Sequence, residues 1–228
     1  DPHLHRIRAR ANRELGAKNQ AIQLERERAD NLLKNILPEK TALELKLHNK
    51  VQPVRYESVT VMFTDFKNFT TVSELLSPQE LVDELHACFK GFDEICSKHN
   101  IEKIKTIGDA YLAVCGLPQA DEHHAVNVVN AALEIREFME KRREILGEKT
   151  FEIRIGINSG SVVAGIVGVK KFAYDIWGDT VNVASRMESN SEYDKINISG
   201  STFELVKDKY NCVYRGKINA KNRGEIDM

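Results

Sequence analysis

The sequence lacks three features that would each define a class of protein. It has no apolar run near the roughly 20 residues that a membrane helix needs, and its first residues contain no apolar segment of the signal-peptide kind. Its 33 Lys and Arg residues balance 34 Asp and Glu residues, so the basic surface typical of nucleic-acid-binding proteins is absent. We therefore expect a soluble, cytoplasmic chain with no nucleic-acid partner.

Two motif classes are also missing. The four cysteines form no CxxC pair and no regular spacing, which favours reduced thiols and argues against a zinc site or a disulfide framework. A glycine-spaced segment matches neither the GxxxxGK[ST] phosphate loop nor a strict GxGxxG dinucleotide motif. Its members, which we interpret as residues of tight turns, are Gly156, Gly160, Gly165 and Gly168. The sequence therefore predicts no phosphate loop and no dinucleotide fold.

The N-terminal region, residues 1–37, has the composition of a solvated helix, rich in Arg, Glu, Lys, Asn and Gln. Apolar residues recur every seven positions, which is typical of a coiled-coil seam, although Lys18 and Glu25 interrupt it. The seam residues are Leu4, Ala11, Leu15, Ile22, Ala29, Leu32 and Ile36. We predict a short parallel coiled coil that serves as a signalling helix; a single solvated helix is the alternative. Pro38 ends it, and a linker with a short helix follows at 38–55.

From Tyr56 to the C-terminus the pattern changes to alternating strands and helices. The predicted elements are a strand at 58–64, a helix at 77–99, strands at 101–107 and 110–115, a helix at 122–146, a strand at 151–158, a helix at 180–190, a strand at 195–199, a helix at 201–208 and terminal strands. Strand, helix, two strands, helix, strand is the order of a ferredoxin-like βαββαβ core. We predict an α+β domain over residues 56–228, with C-terminal additions to that core.

Two carboxylates stand at the ends of predicted strands. Asp65 follows the first strand, and Asp109 lies in the turn of the central hairpin. If the first strand is central, both side chains meet at one edge of the sheet, where hard oxygen ligands suit Mg²⁺ or Mn²⁺. The alternative is that each aspartate caps a helix or forms a turn.

Four segments resemble the successive motifs of the class III adenylyl and guanylyl cyclases, in the order of that family. They are residues 61–70 (VMFTDFKNFT), 103–109 (KIKTIGD), 156–168 and 174–187 (YDIWGDTVNVASRM). The last is the most specific, and the likeness spans Tyr56 to the C-terminus. The resemblance, closest to bacterial-type homodimeric adenylyl cyclases, implies an enzyme that converts ATP to cyclic AMP and pyrophosphate.

For the metal site, the resemblance implies that Asp65 and Asp109 hold two divalent ions, Mg²⁺ or Mn²⁺, with the backbone carbonyl of Phe66 as a further ligand. Two such ions would lower the pKa of the ribose 3′-hydroxyl and neutralise charge at the α-phosphate. No His or Glu in the motifs stands as an obvious base. The proton acceptor stays open among substrate, water and a ligand carboxylate.

For the base, the resemblance points to Lys105 and Asp175. Adenine offers an acceptor at N1 and a donor at N6, whereas guanine offers a donor at N1 and an acceptor at O6. Lysine donates and ionised aspartate accepts, so the pair fits adenine, whereas similar guanylyl cyclases usually carry Glu and Cys there.

The remaining site residues follow from the same resemblance. Asn182 and Arg186 lie four residues apart on one helix face; the first would orient the ribose and the second would stabilise the pentavalent phosphorus. Lys221 would contact the terminal phosphates. Relatives read Lys-Gly-Lys-Gly there, whereas this chain has Asn222 and Arg223, so Lys221 and Arg223 compete for that contact.

The family divides each site between two subunits, and this chain carries both sets of residues. We therefore expect a symmetric homodimer with two equivalent interfacial sites. We also expect an upstream sensor or membrane domain in a longer protein, which could anchor the cytoplasmic catalytic domain. A guanylyl cyclase and a regulatory nucleotide-binding pseudoenzyme are the alternatives.

Overall fold

The computed structural model describes residues 2–221 and 223–228. Its contacts divide the chain into two compact units, with the boundary between Val51 and Gln52. Within the described residues, no helix combines the length and the apolar character needed to cross a membrane.

The N-terminal unit consists of two helices, α1 (Pro2–Ile36) and α2 (Glu39–His48). Helix α1 buries none of its residues, and its seven-residue apolar row is exposed. Lys46 of α2 contacts Asp30 of α1 at 2.7 Å between Nζ and Oδ1. The predicted helix is present, and its pairing with a second copy stays a prediction.

The second unit is built on a six-stranded sheet, whose strands pair in the order β2-β3-β1-β4-β5 with β6 beside β4. Its strands are β1 (Val54–Phe66), β2 (Glu102–Ile107), β3 (Ala110–Cys115), β4 (Ile153–Val167), β5 (Ala173–Trp177) and β6 (Ile196–Ile198). The pairs are antiparallel except that of β4 with β6. The first four strands have the ferredoxin-like order, which confirms the predicted α+β fold.

Five helices complete this unit, followed by a separate two-stranded hairpin. The helices are α3 (Phe69–Leu75), α4 (Pro78–Lys98), α5 (His124–Leu146), α6 (Asp179–Ser189) and α7 (Gly200–Val206), and the hairpin strands are β7 (Lys217–Ala220) and β8 (Gly224–Asp227). Helix α4 begins where expected because Ser77 and Glu80 cap it reciprocally and Pro78 occupies its first turn.

Helices α4 and α5 contribute the main hydrophobic core on one face of the sheet, with Phe92, Tyr111, Ile135 and Ile155 among its members. Side chains alternate across a strand, so Gly156 faces the opposite side. A Cβ atom there would lie 1.9 Å from the backbone nitrogen of Glu188. Helix α6 therefore packs directly on the backbone of β4 at this glycine.

The glycine-spaced segment differs from its prediction. Gly156, Gly160 and Gly165 lie inside β4, which continues to Val167 and pairs with β5 rather than ending at residue 158. A Cβ atom at Gly160 would lie 2.5 Å from Oγ1 of Thr180. The interpretation of these three glycines as turn residues is wrong, because all three lie within a strand. Gly156 and Gly160 allow close approach of neighbouring elements. Gly168, with a φ of +92°, does occupy a turn.

Candidate active site

The two predicted metal-binding aspartates come together at one end of the sheet. Thr64 of β1 lies opposite Tyr111 of β3, so the next residue, Asp65, reaches the turn between β2 and β3. Gly108, with a φ of +61°, forms that turn and places Asp109 there. The central position of β1 therefore brings together two carboxylates that are 44 residues apart in sequence.

The surroundings of Asp109 favour its protonated form. Burial, the hydrogen bond to Asp65 and the charge of Asp65 together raise the pKa of Asp109 from 3.8 to about 6. The backbone N–H of Phe66 donates to Oδ1 of Asp65 at 2.7 Å. Two carboxylates held this close favour either a shared proton or a bound cation.

The donor set fits a hard divalent cation. Among residues 2–221 and 223–228, no third Asp, Glu, His or Cys completes a metal-binding cluster with the pair. The remaining ligands would be backbone oxygens, water and substrate phosphates, as is usual for Mg²⁺. The Phe66 backbone is well fixed for such a role, because its ring stacks on Phe151 with centroids 4.4 Å apart.

An arginine and a glutamate that were not predicted from the sequence lie next to the aspartate pair. Nη2 of Arg154 lies 3.5 Å from Oδ2 of Asp65, and its Nε lies 3.0 Å from Oε1 of Glu188. Burial raises the pKa of Glu188 to about 7, although the charge of Arg154 opposes this. The one available signal was strand alternation, since Arg154 lies between the buried Ile153 and Ile155.

The two predicted base-recognition residues contact each other directly. Nζ of Lys105 on β2 lies 2.7 Å from Oδ2 of Asp175 on β5, although β2 and β5 are the first and last strands in the pairing order. The Ile176 N–H donates to the other carboxylate oxygen at 2.8 Å. The lysine side chain is 40% exposed and the aspartate 17% exposed, so the pair is accessible to a ligand.

Helix α6 presents its catalytic candidates on the face away from the aspartates. Asn182 is exposed, and Nη1 of Arg186 donates to the Asn219 carbonyl of β7 at 3.0 Å. Consecutive residues of a helix are about 100° apart, so Glu188 lies about 200° around the axis from Arg186. Because Glu188 is tied through Arg154 to Asp65, Arg186 of the same chain faces away from the aspartate pair.

The two phosphate-binding candidates lie in the turn between β7 and β8, and they differ in their contacts. Lys221 is exposed and makes no ion pair within the described part of the chain, whereas the Arg223 guanidinium contacts the Asp179 carboxylate at the start of α6. Asn222, the other departure from the family pattern, lies outside the described residues.

Comparison with known proteins identifies the family. The family model described as "Adenylate and Guanylate cyclase catalytic domain" matches residues 51–228. Human guanylyl cyclase C is 41% identical over 213 residues, which cover 91% of this chain and 20% of that protein. The chain therefore belongs to the class III adenylyl and guanylyl cyclase catalytic domain family, and it spans about a fifth of the length of this relative.

Solved structures of both nucleotide classes share the fold. The catalytic core of a rhodopsin-guanylyl cyclase with converted specificity, in complex with ATPαS, is 38% identical with a TM-score of 0.73 over 78% of this chain and 96% of that one. The adenylyl cyclase CyaB from P. aeruginosa is 32% identical with a TM-score of 0.72 over 78% and 94%. Similarity therefore gives the reaction class without choosing between ATP and GTP.

The aspartate pair predicts an unusual dependence of stability on pH in the presence of a chelator. Because the folded-state pKa of Asp109 is raised from 3.8 to about 6, the folded protein holds this proton more tightly than the unfolded chain. The free energy of unfolding should therefore lose a contribution as pH rises from 4 to above 6. Asp109→Asn should flatten this loss, as measured by urea unfolding at pH 4, 5, 6 and 7.

Asp121→Asn is the matched control, because hydrogen bonds, chiefly from Asn100, lower the pKa of Asp121. Loss of the Asp121 carboxylate should lower the free energy of unfolding near neutral pH, which is opposite in sign to the effect of Asp109→Asn. If Asp109→Asn leaves the wild-type pH dependence unchanged, the two aspartates do not interact as described.

Proposed function

We propose that the chain is an adenylyl cyclase that converts ATP to 3′,5′-cyclic AMP and pyrophosphate. The contact between Lys105 and Asp175 carries this proposal, because it brings one donor and one acceptor to a single accessible place. The Lys105 ammonium would donate to N1 of adenine, and the Asp175 carboxylate would accept from the N6 amino group. Guanine in the same orientation would face each residue with a group of the wrong kind.

A guanylyl cyclase is the nearest rival, because relatives such as human guanylyl cyclase C bear that name. Overall identity reflects the whole fold, whereas base choice depends on a few side chains in one pocket. The structure with converted specificity, described with ATPαS, supports this distinction because it carries a guanylyl cyclase scaffold. Lys105 and Asp175, which differ from the residues usual in guanylyl cyclases, are therefore stronger support for ATP than overall similarity is for GTP.

The chemistry joins the ribose 3′-oxygen to the α-phosphorus and breaks the bond to the pyrophosphate oxygen. Asp65, Asp109 and the Phe66 carbonyl would hold two ions, Mg²⁺ or Mn²⁺, which supply charge neutralisation at the phosphates. Asn182 would orient the ribose, Arg186 would stabilise charge at the pentavalent phosphorus, and Lys221 would bind the terminal phosphates. The 3′-hydroxyl proton would pass to water, substrate or a ligand carboxylate.

The site is proposed to form between two copies of the chain. Arg186 lies about 200° around α6 from Glu188, which is tied through Arg154 to Asp65. One chain's transition-state residues therefore serve best with the aspartates of a second copy. A symmetric homodimer would contain two complete sites. A pseudoenzyme is disfavoured because neither metal aspartate nor Arg186 has been lost.

The N-terminal helix would hold this dimer and connect it to an upstream sensor or membrane domain. Its seven-residue apolar row is exposed in the single chain, so a second helix would bury it. The matched segment forms about a fifth of human guanylyl cyclase C, consistent with an output domain of a longer protein. Rotation or ordering of the paired helices would then alter closure of the catalytic interface.

Exchanging the base-recognition pair tests the substrate. The wild-type protein should form cyclic AMP from ATP, and Lys105→Glu combined with Asp175→Cys should shift the ratio of kcat/KM toward GTP. Two mismatched polar contacts correspond to a shift of roughly 100-fold or more. Product formation from each nucleotide, with Mn²⁺ and separately Mg²⁺, measures it.

Lys103→Glu is the control for this exchange, because Lys103 lies on the same strand and pairs with Asp93 at the surface. It should leave the ATP preference unchanged. Predominant cyclic GMP formation by the wild-type protein would refute the assignment of ATP.

Mixing two inactive variants tests the shared site. Asp109→Asn and Arg186→Ala should each abolish turnover, whereas their mixture should regain about a quarter of wild-type activity, since half the dimers would hold one intact site of two. Mixing Asp65→Asn with Asp109→Asn should restore nothing, because both changes affect the same half. Equal recovery in both mixtures would argue against a divided site.

Removing residues 1–50 tests the N-terminal helix, since the contact boundary falls just after them. The shortened protein should need a higher concentration to dimerise in analytical ultracentrifugation, and its specific activity should fall on dilution. Activity and dimerisation that match the full chain at every concentration would contradict a role for the coiled coil.

A further inference from the structure

The β7–β8 hairpin lies along the outer face of α6 and contacts it at two points. Arg186 donates to the Asn219 carbonyl of β7, and Arg223 beside β8 contacts the Asp179 carboxylate. Asp179 and Arg186 are seven residues apart, about two helical turns, so both lie on the face that carries Asn182. The hairpin therefore spans the face of α6 that holds the catalytic candidates.

The two contacts differ in strength. Arg186 donates to a neutral backbone carbonyl at an exposed position, which substrate phosphates can readily replace. Oδ2 of Asp179 is buried and has no hydrogen-bond partner among the described residues, so the Arg223 charge compensates it. The Asp179 side chain is 34% exposed and the Arg223 side chain 59% exposed, so this is a surface ion pair. Because both of its partners are charged, whereas Arg186 donates to a neutral carbonyl, the Arg223 contact should persist when Arg186 moves.

We propose that Arg223 is a positioning residue, whose ion pair with Asp179 fixes the hairpin so that Lys221 meets the terminal phosphates of the substrate. The inference rests on the proposed function and resolves the competition between the two cations of this turn. Arg223 is already committed to a carboxylate, whereas Lys221 is exposed without an ion pair in the described chain. One cation holds the loop and the other is free to bind.

A direct phosphate contact by Arg223 makes the opposite prediction for one substitution. Asp179→Asn keeps the side-chain shape but removes its charge, which releases the Arg223 guanidinium. If Arg223 bound phosphate itself, this release would leave phosphate affinity unchanged or increased. If Arg223 acts through the ion pair, the same substitution loosens the hairpin and weakens binding.

The experiment measures binding of magnesium tripolyphosphate by calorimetry, beside KM and kcat for the preferred nucleotide. We expect Asp179→Asn and Arg223→Ala each to weaken tripolyphosphate binding roughly tenfold, the scale of one charge-assisted contact. Their effect should fall mainly on KM, and Arg223→Lys should recover part of it. Combined with Lys221→Ala, Arg223→Ala should add little, because both act through one ammonium.

Hydrogen exchange of residues 217–227 tests the ion pair independently of activity. Exchange should be faster in Asp179→Asn and Arg223→Ala and unchanged in Lys221→Ala. Unchanged exchange in Asp179→Asn, or tighter tripolyphosphate binding by it, would overturn the positioning role. If the wild-type protein formed no cyclic nucleotide while exchange and tripolyphosphate binding behaved as expected, the proposed function would fail and the positioning role would stand.

Discussion

Helix α6 lies so close to β4 at Gly156 that its rotation about its own axis is fixed. A Cβ atom there would lie 1.9 Å from the Glu188 nitrogen, so only glycine permits this contact. The rotation turns Met187 and Glu188 toward the sheet and leaves Asn182 exposed on the other side. The inner face then reaches the aspartates through Arg154, and the outer face carries the hairpin. The separation of the two faces of α6 thus depends on the absence of a side chain at Gly156.

The two groups of charged residues that α6 separates would each be completed by a ligand. Burial, the hydrogen bond to Asp65 and the charge of Asp65 together raise the pKa of Asp109. Lys105 and Asp175 contact each other at 2.7 Å, so a base bound as proposed would replace that contact with two of its own. Partly exposed ion pairs contribute little free energy, and their opening therefore costs little. A cation on one side and a nucleotide base on the other would complete these groups.

Local signals in the sequence were sufficient for most elements and for the residues of the main motifs. Ser77, Pro78 and Glu80 mark the start of α4, and Gly108-Asp109 marks the hairpin turn. The extension of β4, its pairing with β5, and α3 were not predicted. Strand pairing depends on partners distant in sequence, and glycine is as compatible with close packing as with a turn. Sequence reasoning therefore predicted the order of the elements better than it predicted the strand ends, and the roles of the site residues stay predictions.

The ion pairs that were not predicted share a physical cause. Arg154 and Glu188 are joined across 34 positions, and Asp179 and Arg223 across 44. Neither pair has a local signature, because an ion pair of this kind depends on how helix, sheet and hairpin pack. Such pairs are not visible as motifs in a single sequence.

The same distinction governs how substrate identity should be inferred for this family. In the proposed mechanism the sheet, the aspartate pair and α6 would serve the reaction whichever purine is bound, so similarity over the whole chain reports mainly on these shared parts. Base choice would depend on the two side chains at 105 and 175, which contribute almost nothing to an overall identity of 41%. A chain can therefore be most similar to guanylyl cyclases and still present the donor and acceptor arrangement that adenine requires.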